Sequence, residues 1–423
     1  MVRRFLMLQG PHGPFFRQLA ARLRLAGAEV HRLGVNAGDA AFWLGAPGYI
    51  AHREGLDRWP EVLAGHLDRL SITDIVLYGD TRPLHAEAVR QARARGLRVH
   101  VFEEGYLRPY WVTYERGGSN GHSALMALDM AQIAERLSQP GSEMPVPPAQ
   151  WGDMTQHIFY GALYHWFVLF ANRGYPGFRS HRRVDLRQEA RAYFRRLGEM
   201  PVHGARRWWR TRKVQASGRP YHVALLQLEH DASFQAHSPF RETAEFLQDV
   251  IAGFAEGAPR HHLLVLKAHP LDASASRSAR QARRIAEALG VADRVTLIPG
   301  GKLAPLLTHA ESAVTVNSTA AHQALWRGLP VKVFGTAIYD KPEFASRQPS
   351  AEFFADPALP DAAGYRCFRQ FLLETSQLPG GFYSRRGRRQ LLRIVTDRML
   401  DARDPYDRHL PAPPALSKDA ASA

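Results

Sequence analysis

At 423 residues the chain is too long for one compact core, so two domains are expected. A composition 45% apolar and 10% aromatic excludes a disordered polymer, and the one cysteine, Cys367, excludes internal disulfides and any cysteine-rich metal site. A formal net charge of +15 calls for an anionic partner: nucleic acid, an acidic membrane surface or anionic small molecules.

An arginine-rich composition raises such a charge without function, so its distribution says more. Arg179, Arg182, Arg183, Arg187, Arg191, Arg195, Arg196, Arg206, Arg207, Arg210, Arg212 and Lys213 crowd one middle segment. The opening MVRRFLMLQG has two early arginines, but Gln9, His12 and Arg17 interrupt the apolar run too soon for a signal peptide. No window holds the roughly eighteen uninterrupted apolar residues of a spanning helix. The expectation is a soluble or peripheral protein of a reducing cytoplasm.

In chain order, Phe5 to Leu8 reads as a strand, followed by the glycine-bearing turn QGPHG and a helix that stops at Gly27. The turn lacks GxGxxG spacing, so the unit is Rossmann-like without a nicotinamide site. Glu29 to Leu33, Ile72 to Tyr78 and Leu97 to Phe102 are the next strands, with a helix over Pro83 to Arg95. Strand, helix, strand in this rhythm predicts a parallel sheet with right-handed crossovers.

The middle segment breaks the rhythm. WGDMTQHIFYGALYHWFVLF, from Trp151 to Phe170, is aromatic and apolar and leads into the arginine cluster. It reads equally as a helical hairpin packed on the first domain with a solvated basic face, or as a membrane-interface patch.

After Gly218 the α/β rhythm resumes. Strands are expected at Val223 to Leu226, His262 to Leu266, Val295 to Ile298, Ser312 to Val316 and Val331 to Phe334, alternating with helices. Domain limits follow at 1–150, 151–217 (a helical, aromatic and basic insertion), 218–385, and 386–423 (a helix and a disordered tail). The fold class is α/β, GT-B-like: two Rossmann-like domains with an active site in the cleft between them.

Chemistry collects where strands end, as open α/β sheets require. VALLQLEHDASFQAHSPF turns from apolar to polar and supplies Gln227, Glu229, His230, Asp231, Gln235, His237 and Ser238. LKAHP presents Lys267, His269 and Pro270, and TVNST presents Asn317, Ser318 and Thr319. Taken singly, NST could simply cap the following helix and His269 could be a structural histidine. FEEGYLRPYW puts Glu103 and Glu104 at a strand end before Gly105. No HExxH and no isolated DxD after a strand occurs, so no metal is expected.

Together QGPHGPFF with NAGDAAFW, YGDTRPLH, FEEGYLRPYW, LLQLEHDASFQAHS, LKAHPLD and TVNSTAAHQALWRGLPVKVFGTAIYD resemble the bacterial capsule polysaccharide synthesis and export family, in unbroken order from Gln9 to about Asp340. Within it they are similar to the transferases that begin the β-Kdo linker of lipid-anchored capsules. The resemblance implies a retaining β-Kdo transferase with paired Rossmann-like domains. It implies CMP-Kdo as donor and a lysophosphatidylglycerol-type lipid as acceptor, on the cytoplasmic face of the inner membrane beside other capsule assembly proteins. No cofactor beyond the donor is implied.

That donor carries a phosphodiester and a carboxylate, which suits Lys267, His269 and the Asn317 triplet as donor-binding groups, with Gln227, Gln235, Ser238 and Pro270 beside them. Asp231 is the candidate nucleophile, Glu103 or Glu104 the general base from the other domain, and Glu103 matches the first acid of the family's E-(E/D)-G motif. His237 would orient the donor carboxylate or assist proton transfer. Acceptor-side candidates are Gly10, Asp39, Asp80, Arg82, Tyr106 and Arg108, with Gly79, Asp80 and Arg82 also readable as structural. Other readings stay open: a non-catalytic export scaffold that holds glycolipid, or a β-Kdo transferase that extends the linker; a related ulosonic acid could replace Kdo. A nucleic-acid binder, suggested by charge alone, lacks any recognition motif.

Overall fold

The computed structural model describes residues 2–138, 153–178, 208–229, 231–269, 275–407 and 410. Pro270, His230 and the arginines from Arg179 to Arg207 lie outside the described residues, as does most of the tail.

The first half runs β1 (Arg4–Met7), α1 (Phe15–Leu25), β2 (Glu29–Gly34), α2 (Ala37–Trp43), β3 (Tyr49–Ala51), α3 (Trp59–Arg69), β4 (Asp74–Tyr78), α4 (Pro83–Ala94), β5 (Arg98–Glu104), β6 (Trp111–Arg116), α5 (Met130–Glu135) and α6 (Asp153–Phe170). A helix over 208–216, α7, precedes the second half. There follow β7 (Tyr221–Leu225), α8 (Ala232–His237), α9 (Thr243–Gly257), β8 (Leu263–Ala268), α10 (Ala275–Ala288), β9 (Val295–Pro299), α11 (Ala304–Leu307), β10 (Ser312–Thr315), α12 (Ala321–Leu325) and β11 (Val331–Val333). The chain closes with α13 (Ser350–Ala355), α14 (Ala362–Glu374), β12 (Gln377–Pro379) and α15 (Arg385–Leu400).

Two sheets result, ordered β12-β6-β5-β4-β1-β2-β3 and β11-β10-β7-β8-β9. The second is wholly parallel, and its central strand β7 is buried along its length. Sheets covered on both faces need such continuous apolar strands, and β1, with Phe5, Leu6 and Met7 at 0% exposure, answers the same demand in the first sheet. The α/β class with two Rossmann-like domains is therefore as the sequence indicates.

The first sheet is larger than expected. β6 lies antiparallel beside β5, because the short turn from Gly105 to Tyr110 leaves no room for a crossover. β12 pairs antiparallel with β6, and Leu391, Leu392, Val395 and Met399 of α15 complete the first domain's core with Phe5 and Phe15. The chain thus returns to its first domain at Gln377, ahead of the boundary read at 385. The tail also stays folded further than expected: Pro405–Asp407 form a turn, and Tyr406, 3% exposed, stacks on Phe371 at 5.7 Å.

One apolar cluster crosses between the domains, from Tyr106, Leu107 and Trp111 through Leu125 and Ile133 to Val223, Ile338 and Phe368. Lys341 of the second half adds a polar tie, donating to the carbonyls of Leu125, at 2.8 Å, and Leu128. α6 is helical as read and packs on the first domain: Gln9 and Asn36 both donate to the Tyr164 hydroxyl at 2.7 Å, and His12 stacks on its ring. Its outward stripe of Phe159, Trp166 and Phe170 is exposed, while Phe167 is half-buried. Among the described residues no helix is long and apolar enough to cross a membrane.

His222 and His322 sit inside the second domain, bonded to Ser312 and Tyr365, and burial pushes their imidazoles down to about 3. An unfolded histidine titrates near 6.5. Their contribution is therefore complete above that pH and is lost as pH falls toward 3, by about 1.4 kcal/mol per pH unit for each. Chemical denaturation at pH 7.5 and 5.0 is expected to show a weaker fold at 5.0, with a smaller difference in His322→Gln; equal stability at both would contradict the assignment.

Candidate active site

Strand alternation separates the two glutamates at the end of β5. Glu104 turns into the first domain, where the hydroxyls of Tyr78 and Tyr383 both donate to Oε1 at 3.0 Å. Glu103 points the other way and accepts from Ser119 Oγ at 3.2 Å and Asn120 Nδ2 at 3.1 Å. Gly105 must follow: a Cβ there would lie 2.2 Å from the Trp111 carbonyl oxygen. Of the two acids left open by the sequence, Glu103 is the one directed toward the second domain.

Burial, then the charges of Asp231 and Asp80, push the Glu103 carboxyl up to about 7, while the Ser119 hydrogen bond pulls the other way. Asp80, 3% exposed, accepts from the Ser119 backbone N–H at 3.0 Å and pairs with His122 Nδ1 at 3.1 Å. Tyr106, also buried, accepts from the Asn120 N–H at 2.7 Å. These two side chains, expected on the acceptor side, hold the loop from Gly117 to Ser123 against Glu103.

That loop also touches the second domain. The His122 and His237 rings meet edge to face with centroids 4.7 Å apart, and a Cβ on Gly121 would lie 2.4 Å from His237 Nδ1. Burial foremost, and then the nearby His122, pushes the His237 imidazole down. Its Nε2 is buried without a hydrogen-bond partner among the described residues, and its carbonyl accepts from Asn317 Nδ2 at 3.2 Å and the Thr336 N–H at 2.9 Å.

The remaining donor-side candidates gather at the ends of β7, β8 and β10. Gln227 and Asn317 lock reciprocally, Gln227 Nε2 donating to Asn317 Oδ1 at 2.7 Å and Gln227 Oε1 accepting the Asn317 N–H at 3.0 Å. Lys267 is buried and its ammonium donates to the carbonyls of Gly300 and Gly301, so it pins that loop. Ser318 accepts the Ala320 N–H at 3.3 Å, but α12 has no side-chain cap at its first residue. Thr319 stands between them, half-buried. His269 is half-buried at the end of this strand region, and Pro270 lies outside the described residues. Asp231 is exposed at the head of α8; Gln235 bonds the Glu229 carbonyl at 2.6 Å and Ser238 accepts the Phe240 N–H at 3.0 Å.

Other candidates serve the fold. Asp39, 2% exposed, is committed to a buried pair with Arg32 at 2.9 Å and to the Val35 N–H at 3.1 Å. Gly10 makes room for the Phe16 ring, which a Cβ would approach to 2.6 Å. Arg82 donates to Gln9 Oε1 at 3.0 Å over the Tyr78 ring. Arg108 donates to the Gly105 carbonyl at 3.1 Å, its positive charge within reach of Glu103. Sequence reasoning missed Ser119, Asn120 and His122, because the strand before them went unread; the glycine-rich polar run GGSNGHS was the available signal. Among the described residues, no three His, Cys, Asp or Glu side chains are grouped to hold a metal ion.

Residues 73–383 match the family described as Capsule polysaccharide biosynthesis protein. The chain is 29% identical over 383 residues to the capsule polysaccharide export protein KpsS of Escherichia coli, covering 90% of this chain and 97% of that one. It is 31% identical over 386 residues to the capsule polysaccharide modification protein LipB of Neisseria meningitidis serogroup A, covering 90% and 91%. Among solved structures, the β-Kdo 2,7 transferase of Thermosulfurimonas dismutans KpsC aligns with a TM-score of 0.40 at 14% identity, over 86% of this chain and 89% of that one. The chain belongs to the capsule polysaccharide biosynthesis family.

Proposed function

We propose that the chain is a retaining β-Kdo glycosyltransferase that moves Kdo from CMP-Kdo to a lysophosphatidylglycerol-type lipid and so starts the capsule linker. The observation that carries this reading is a pair of acids from different domains, exposed Asp231 and half-buried Glu103, the charge of the first pushing the carboxyl of the second up. A scaffold has no use for an acid held near neutrality at an interdomain seam.

The chemistry needs two displacements. The Asp231 carboxylate attacks the anomeric carbon as the bond to the CMP oxygen breaks, and CMP leaves as its anion. The acceptor hydroxyl oxygen then attacks the same carbon, Glu103 takes the hydroxyl proton, and the Asp231 carboxylate is released. Two inversions retain the configuration. Ser119 and Asn120 aim the Glu103 carboxylate, while Gln227, Asn317, Ser318, Thr319 and His269 form the donor-side edge. No step calls for a divalent metal, so activity is expected to survive EDTA. The stripe of Phe159, Trp166 and Phe170 on α6 would rest on the inner membrane face, bringing the lipid acceptor to the first domain.

Incubation with CMP-Kdo, generated in situ, and a fluorescent lysophosphatidylglycerol, followed by mass spectrometry, tests the reading. A product heavier by one Kdo is expected, and Asp231→Asn is expected to abolish it; transfer only onto a Kdo-terminated acceptor would move the enzyme to chain extension, and no transfer with no CMP binding would favour the export scaffold. Because Glu103 must be ionised to act, kcat/KM should fall about tenfold per pH unit below about 7 and level off above it. Glu103→Gln should remove nearly all turnover, and a flat profile from pH 5.5 to 8 would exclude Glu103 as the base. In co-sedimentation with anionic liposomes, Trp166→Ala with Phe170→Ala should weaken binding at least about tenfold, since each ring buries about 1.5–3 kcal/mol of apolar surface; unchanged binding would remove α6 from the membrane contact.

A further inference from the structure

The cleft end of the proposed site is acidic. Asp80, Glu103 and Asp231 converge there, and the Coulombic push of Asp80 and Asp231 is felt at Glu103. A ulosonic acid bears its own carboxylate on the anomeric carbon, so the sugar that must meet Asp231 and Glu103 adds a further negative charge within a few ångströms of both. Like charges so close in a partly dehydrated cleft repel by several kcal/mol. A site built for such a sugar therefore needs a positive or proton-donating group beside the anomeric carbon; Lys267 donates to the Gly300 and Gly301 carbonyls, and Arg108, bonded to the Gly105 carbonyl, brings its charge to Glu103.

His122 has the required placement. Buried Asp80 binds its Nδ1 at 3.1 Å, so that nitrogen carries a proton and the opposite nitrogen, Nε2, is left for a second partner. The His122 side chain is 49% exposed, and its ring lies edge to face with His237 of the other domain, 4.7 Å between centroids. Gly118 and Gly121 shape the turn that delivers it: a Cβ on Gly118 would lie 2.4 Å from the His122 carbonyl oxygen, and one on Gly121 would strike His237. With Nδ1 held by Asp80, the ring is fixed in orientation, and it meets a carboxylate at Nε2 as a donor when both ring nitrogens carry protons, one shared with Asp80 and one with the ligand.

Resting on the reading of a CMP-ulosonate donor, we propose that His122, positioned by Asp80 and set against His237, is a specificity-determining contact for the donor sugar's anomeric carboxylate. The first domain thereby reads the feature that separates a ulosonic acid from an ordinary aldose, while the second domain holds the nucleotide.

Equilibrium binding of CMP and of a hydrolysis-resistant CMP-Kdo analogue tests this. Wild type should bind the analogue more tightly than CMP; His122→Gln should bind CMP as wild type does and lose at least about tenfold for the analogue, the loss of one charge-assisted hydrogen bond. A wild type that gains nothing from the sugar contradicts the donor reading itself. A wild-type preference kept intact in His122→Gln overturns the His122 assignment and leaves the donor reading standing. Should His122→Gln also weaken CMP binding, the analogue with a carboxamide in place of the carboxylate decides with wild type alone: about tenfold weaker binding supports the contact, and equal binding overturns it.

Discussion

A carboxyl group held between two domains beside two other acids is the constraint on which the rest depends. Glu103, the last but one residue of β5, is half-buried and feels the charges of Asp80 and Asp231. Such a group stays near neutrality only while the surroundings keep it dry and fix its hydrogen bonds. The loop from Gly117 to Ser123 does both. It is anchored to the first domain through Asp80 and Tyr106 and pressed against His237 of the second, and Lys341 holds the chain just after it. The seam between domains is thus part of the candidate site rather than a passive boundary.

The same constraint explains the crossing-over of the C-terminus. β12 covers the outer edge of β6, the strand that leads into this loop, and Gln377 Oε1 accepts the Tyr106 N–H at 2.8 Å. Tyr383, a few residues later, holds Glu104 out of the cleft. Distant sequence therefore fixes which of two neighbouring acids meets the other domain.

Much of this was legible in the sequence where an apolar run ends in polar residues. β4, β5, β7, β8 and β10 announce themselves in that way, and so the fold class could be read before any coordinates, as could the positions of the candidates Glu103, Glu104, Asp231, Gln227 and Asn317 just beyond apolar runs. β6 could not, because it carries Glu115, fully buried, with burial pushing its carboxyl up to about 8. A buried acid hides a strand from any pattern of apolar residues, and the loop beyond it, with Ser119, Asn120 and His122, went unseen for the same reason. Asp39 shows the converse error: a carboxylate near a strand end resembles chemistry, but its charge is consumed by Arg32, a residue seven positions earlier whose side chain is equally buried. β12 is three residues long and leaves no periodic trace.

The central claim is a covalent exchange at Asp231 with Glu103 as its partner base, and intact-mass spectrometry of Glu103→Gln incubated with CMP-Kdo tests it most directly. With the first displacement intact and the second stalled, the account predicts a protein heavier by one Kdo residue, with the added mass on the peptide that contains Asp231. CMP release without any adduct, or an adduct on another residue, would contradict it.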